Sequence, residues 1–261
     1  MKIAAIIQAR VGSTRLPRKV LLPLEGKTVL ERVIERVQQS KKIEEVIVVT
    51  TSNKEDMEIV KICSNNGIRV FCGSEADVLD RFYQTAKLLE PDHIVRITAD
   101  CPLIDALIID QVINKHLAEK NDYTSNILKE TFPDGEDNEI FTFKALRISW
   151  KKAKLISERE HVTLFIRNHP EMFKLANLES EIDFSAKRWT LDHKQDFEFI
   201  TKVYKALYEK NEFFGAKETL NFLEKHKELE SINHYVKRNE GLEKSLIEDL
   251  NIEKGGSCEK Q

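Results

Sequence analysis

Residues 3–26 read IAAIIQARVGSTRLPRKVLLPLEG: an apolar strand that stops at Gln8, followed by a loop carrying Arg10, Gly12, Ser13, Thr14, Arg15, Arg18 and Lys19. An open α/β sheet places its ligand crevice just past the carboxyl ends of its strands, and small loop residues let backbone N–H groups approach an anion. The stretch therefore predicts a mostly parallel sheet with a polyphosphate site after its first strand. Arg10 and Lys19 can reach a triphosphate from two sides, with Gly12, Ser13 and Thr14 offering backbone donors. The loop is neither GxxxxGK[ST] nor GxGxxG, so it is not a Walker A loop or a dinucleotide fingerprint. The bland alternative is a solvated basic loop.

The rest of the chain extends this pattern, since short β-rich runs alternate with helical periodicity as in βαβ units. A helix with Val29, Leu30, Val33, Ile34 and Val37 on one face precedes a buried strand in 44–52. A helix over 55–64, a strand over 68–72, a helix over 76–89, a strand over 93–100 and a helix over 106–119 follow. Beyond Asp122 the alternation weakens, and 122–143, with its Pro133-Asp134-Gly135 turn, reads as a substrate loop region. Helices are expected at 145–154 and 158–168, a late strand at 187–192, and helices at 195–209 and 217–225. The expected division is one domain over 1–235 and a charged tail over 236–261 that cannot order itself alone.

Composition narrows the function classes. The chain has 261 residues, 41% hydrophobic, which is enough for a sizeable core. A net charge of −3 argues against a nucleic-acid partner, so the anion site must be local. The first apolar run is too short for a signal peptide or membrane span, which makes a cytoplasmic protein without a membrane partner the expectation. Cys63, Cys72, Cys101 and Cys258 form no CxxC pair, so neither a zinc site nor a disulfide framework is expected.

Two acids complement the basic loop. Asp100, in RITADCP, ends a central strand on the side of that loop, where it can bind a magnesium ion bridging phosphate oxygens. Its alternative is a turn or cap aspartate. Asp192, in RWTLDHKQDF, stands between an apolar run and a helix and could equally cap that helix. For an acceptor, the candidates are Glu139 and the cluster Glu158, Arg159, Glu160 and His161. The arginine suits a substrate carboxylate and the histidine suits hydroxyls or proton transfer, against the alternative of an ordinary acidic helix start. Trp189 reads as core.

With those residues in view, the strings IIQARVGSTRLPRKVLLPLEGKTVLERVIER, GSEADVLDRFYQTA, VRITADCPLID, SEREHVT and RWTLDHKQDFEFI resemble the spore coat polysaccharide biosynthesis protein F-like cytidylyltransferases. That family is similar to CMP-KDO and CMP-sialic acid synthetases, and the resemblance runs from residue 2 to about 248. It implies a three-layer α/β fold of the nucleotide-diphospho-sugar transferase (GT-A-like, Rossmann-like) type with a mixed, mostly parallel sheet. It also implies magnesium-dependent transfer of CMP from CTP to an acidic sugar, with release of pyrophosphate, in surface polysaccharide or glycoconjugate synthesis.

Carried onto this chain, the resemblance makes Arg10, Lys19 and Asp100 the catalytic set and Asp100 and Asp192 the metal ligands. The nucleotide would be held by Gln8, Ala9, Arg10, Gly12, Ser13, Lys19, Asp80 and Arg81, and the acceptor by Glu139, Arg159 and His161. Homodimers are usual among such relatives. Three departures stand out. Arg18 replaces the glycine that commonly precedes the loop lysine, and would be strained at positive φ. His193 and Lys194 replace a threonine-proline, and DGEDNEIF at 134–141 differs from the relatives' acidic run while keeping acids at Asp137 and Glu139. A phosphorylated polyol or phosphonate acceptor is the competing reading. A glycosyltransferase normally needs a DxD motif, whereas TADCP supplies one acid.

Overall fold

The segment 3–8 forms β1 at the centre of a seven-stranded sheet in the computed structural model, which describes residues 1–256. In chain order the elements are β1 (Ile3–Gln8), β2 (Pro23–Leu24), β3 (Lys27–Thr28), α1 (Val29–Val37), β4 (Glu45–Thr51), α2 (Met57–Asn65), β5 (Arg69–Gly73), α3 (Val78–Leu89), β6 (His93–Thr98) and α4 (Ala106–Glu119). They continue as β7 (Tyr123–Ser125), β8 (Glu139–Thr142), α5 (Phe143–Lys152), α6 (Ile156–Glu160), α7 (Leu164–Asn168), β9 (Leu175–Asn177), α8 (Lys194–Leu207), α9 (Ala216–Lys225) and α10 (Glu240–Gly256). The sheet order is β5-β4-β1-β6-β8-β7-β9, with β5, β4, β1 and β6 parallel and β8 running against both β6 and β7. It is a mixed, mostly parallel α/β sheet, as the sequence leads one to expect.

Alternation along β1 explains the three layers. Ile3, Ala5 and Ile7 face α1, α2 and α4, while Ile6 faces the layer that contains α3, α5 and α7. A strand covered on both faces has no polar side, which is why it reads as a continuous apolar run. A third cluster joins Leu24, Leu103, Trp189 and Leu191 to α8 and α9, and Trp189 is fully buried there. Helix starts follow local signals: Thr28 and Glu31 form a capping box at α1, and Asp105 accepts from Leu107 N at 2.8 Å at α4.

Two expected elements differ. The helix read over 158–168 is two short helices, α6 and α7, separated by Val162 at φ 50°. A β-branched residue in that region interrupts helical hydrogen bonding and turns its neighbours aside. The strand read over 187–192 joins no sheet and makes one bridge, Asp134 with Arg188. Its two ends have different partners: Trp189 N donates to Asp134 O at 2.6 Å, and Leu191 N to Asp100 O at 2.8 Å.

The charged segment from 236 contains α10, which docks on α6. Ser157 N donates to Asp249 Oδ1 at 3.2 Å and Ser245 Oγ to Glu160 Oε2 at 2.6 Å, and both Ser245 and Asp249 are buried. Cys258 and the rest of 257–261 lie outside the described residues. Among the described residues, no helix is long and apolar enough to cross a membrane.

Candidate active site

The loop after β1 is pinned by its neighbours. Ala9 N donates to Val49 O at 3.0 Å, Val11 N to Asp56 Oδ1 at 2.6 Å, and Arg18 N to Val11 O at 3.2 Å. This leaves the N–H groups of Arg10, Gly12, Thr14 and Arg15 without a protein acceptor among the described residues. Such a run of unpaired donors is an anion cradle. Arg18 keeps the left-handed conformation, at φ 62° and ψ 22°, that a glycine would take without strain. Its guanidinium turns away from the loop to pair with Glu58 on α2 at 2.6 Å, so Arg18 takes the conformation without adding a cation to the site.

Lys19 follows directly and enters the sheet's carboxyl edge. Its Nζ lies 2.5 Å from Asp100 Oδ2 and 2.8 Å from Asp192 Oδ1. Asp100 arrives two residues past β6, and Asp192 arrives at the end of the extended segment held by Asp134 and Asp100. Asp192 does not cap α8: the N-cap position is His193, whose N–H donates to Asp196 Oδ2 at 2.8 Å. Burial would raise the Asp100 carboxyl, but the Lys19 ammonium beside it holds it down at about 2. Burial likewise opposes the Lys19 charge, and the two carboxylates outweigh it and raise its pKa. Lys19 and Asp100 are therefore both charged at neutral pH.

A cavity of about 770 Å³ opens over this cluster. Gln8, Ala9, Arg10, Ser13, Lys19 and Arg81 line it, as does Asp100. A smaller chamber of about 220 Å³ adjoins it; Asp192 and Glu139 line this second space, and His161 lines both. Gly12 contributes its backbone to the loop rather than to the lining. Two expected residues are elsewhere. Asp80 accepts from Trp150 Nε1 at 2.7 Å and so faces α5. Arg159 clasps the Asp77 carboxylate and donates to Trp150 O at 2.8 Å, so it fastens α6 to the start of α3 instead of facing the cavity. Glu158 also serves the backbone, accepting from Lys154 N at 2.9 Å.

Other residues join the site without having been singled out as ligands. Arg15 pairs with Asp192 at 2.6 Å and with Glu240 of α10 at 2.9 Å. Arg96 pairs with Glu139 and donates to Gln8 Oε1 at 3.1 Å. An arginine inside an otherwise apolar parallel strand was the available signal. His161 Nε2 lies 3.1 Å from Ser245 Oγ, which itself donates to Glu160. Nε2 must then carry the proton, leaving the Nδ1 lone pair available. Burial, with Arg96 adding to it, lowers His161 to about 4, so the ring is neutral at pH 7.

The donor set also bears on metals. Asp100 and Asp192 are hard oxygen donors converging on a single cation, and no cluster of three or more acidic, histidine or cysteine ligands occurs among the described residues. Two carboxylates fill only part of a divalent shell. They suit an ion that takes its other ligands from phosphate and water, which is how Mg²⁺ is usually bound.

A family model for cytidylyltransferases matches residues 4–241. The spore coat polysaccharide biosynthesis protein SpsF of Bacillus subtilis is 40% identical over 215 residues, covering 80% of this chain and 87% of its own. A cytidylyltransferase structure from Leptospira borgpetersenii superposes with a TM-score of 0.85 at 34% identity, over 91% of this chain and all of that one. A CMP-2-keto-3-deoxy-manno-octonic acid synthetase complexed with CTP shares the fold at a TM-score of 0.61 and 16% identity, over 79% of this chain and 99% of that one. The chain belongs to the cytidylyltransferase family and is a nucleotidyltransferase.

Proposed function

We propose that this protein transfers CMP from CTP to an acidic sugar, releasing pyrophosphate, in the synthesis of surface polysaccharide or glycoconjugate. The observation that carries the reading is Lys19 bridging Asp100 and Asp192 beneath a loop of unpaired N–H donors. The likeness to SpsF and to a CTP-bound synthetase supports CTP and a sugar acceptor.

In this reading Arg10, Lys19 and the free N–H groups of the loop neutralise the pyrophosphate leaving group and hold the α-phosphorus for in-line attack. Gln8, Ala9 and Arg81 border the space for the nucleoside. Asp100 and Asp192 would hold a magnesium ion, which supplies charge neutralisation on the phosphate oxygens. His161, neutral and facing both spaces, offers Nδ1 to the acceptor hydroxyl.

Incubation with each of the four NTPs, magnesium and a panel of acidic sugars, read as pyrophosphate release, tests the assignment. CTP with at least one acid should give release. Release with UTP alone would remove the cytidylyl reading, and release only with a phosphorylated polyol or phosphonate would replace the acceptor class. Asp100→Asn should lower turnover by roughly 10²-fold or more while leaving the circular dichroism spectrum unchanged; a fully active variant would sink its role.

A further inference from the structure

The 220 Å³ chamber beside Asp100 and Asp192 is lined by more charges than its size suggests. Nearly all are matched. Arg96 pairs with Glu139, Asp100 and Asp192 with Lys19, Asp134 with Arg188 at 2.7 Å, Asp137 with Arg238 at 2.8 Å, and Glu240 with Arg15. Glu139 is further occupied by Tyr123 Oη at 2.6 Å and Thr163 Oγ1 at 2.5 Å.

Arg167 is the exception. Its backbone N–H continues α7 by donating to Thr163 O at 3.0 Å, and its side chain lines the chamber. Among the described residues its guanidinium makes no ion pair or hydrogen bond, and its Nε is buried without a partner. A buried guanidinium N–H left unmatched is costly unless something supplies an acceptor. Val162, in its left-handed conformation, lies between α6 and α7, and His161, just past α6, and Arg167, on α7, line the same chamber.

We propose that the small chamber is the acceptor subsite and that Arg167 binds the carboxylate of the acceptor there. A guanidinium matches a carboxylate with two parallel N–H···O bonds. With the acid on Arg167, the far end of a small sugar lies toward His161 and Asp100, where its hydroxyl must be to meet the nucleotide. This inference rests on the CMP-transfer reading for its chemistry but not for its binding test.

The full chain, saturated with CMP so that no turnover occurs, can be titrated calorimetrically with 3-deoxy-manno-octulosonate, its neutral C1 amide and glucose 1-phosphate. The native protein should bind the acid at least roughly tenfold more tightly than the amide. Arg167→Ala should weaken the acid by roughly 10- to 100-fold while leaving CMP affinity and the thermal midpoint unchanged, and Arg167→Lys should recover part of the loss. Equal binding of acid and amide, an Arg167→Ala variant that holds the acid as the native chain does, or preference for glucose 1-phosphate would each overturn the proposal. Absence of pyrophosphate release with every acceptor would instead overturn the reaction and leave the binding result standing.

Discussion

Lys19 is the residue on which the geometry turns. It is largely buried between Asp100 and Asp192, and removing one member of such a group strands the others without a counter-charge, at a cost of about 3–5 kcal/mol. Lys19→Met should therefore lower the unfolding free energy at pH 7 by about 3 kcal/mol. In an Asp100→Asn background the same change should cost distinctly less. Urea titration of the four proteins checks this, and strictly additive losses would mean that ammonium and carboxylate do not interact. These three residues were legible because Asp100 and Asp192 each follow an apolar run and Lys19 belongs to the basic loop after the first strand. Asp80 and Arg159 were not, because a charge at a helix start can serve a ligand or a neighbouring helix, and only packing decides. Trp150 takes Asp80, and Asp77 takes Arg159. Arg167 gave no signal at all, since one arginine on a short helix looks like a solvated face.

At the scale of elements, strands and long helices followed from their periods, and α4 spans the expected 106–119. What escaped depended on contacts distant in sequence. The stretch 187–192 is apolar and extended, yet its partners are the 134 turn and the Asp100 carbonyl, so it pins a carboxylate instead of widening the sheet. The highly charged α10 packs on α6, where Ser245 and Asp249 find partners, and it brings Glu240, Lys244 and Ser245 to the cavity wall. Ending the chain after Asn239 should leave the sheet intact, since among the described residues the three apolar clusters include none from α10. It should also remove the Arg15 and His161 contacts. The KM for CTP should then rise by roughly tenfold, because two hydrogen-bonded positioning contacts are lost. Ser245→Ala should reproduce part of the effect through His161. An unchanged KM in a truncated chain that retains its near-ultraviolet circular dichroism would show that α10 covers the cavity without organising it.

Across the whole molecule, the site falls where the chain leaves β1 for β4 on one side and later returns to place β6 on the other. Such a reversal opens a crevice at the strands' carboxyl ends, so the position of the cluster is a property of topology as much as of sequence. The same sheet carries a polar group deep in its packing. His116 on α4 is fully buried, with Nε2 3.0 Å from His93 Nδ1 and Nδ1 3.1 Å from Thr124 Oγ1. Burial, and then His93, lower it to about 3, whereas an unfolded histidine titrates near ~6.5. Between those values the unfolded chain binds a proton that the native state refuses, so stability contributed by neutral His116 is lost as pH falls from about 6.5 toward 3. His161, lowered to about 4, acts in the same direction, but it remains in any His116 variant and cancels from the comparison. His116→Gln should be the less stable protein at pH 7, having lost shaped contacts. The gap to the native chain should narrow by about 2 kcal/mol on going to pH 4.5, because glutamine has no proton to gain. Denaturant titrations of both proteins at the two pH values measure that gap directly, and a gap that stays constant would move the acid sensitivity from this buried pair to other groups.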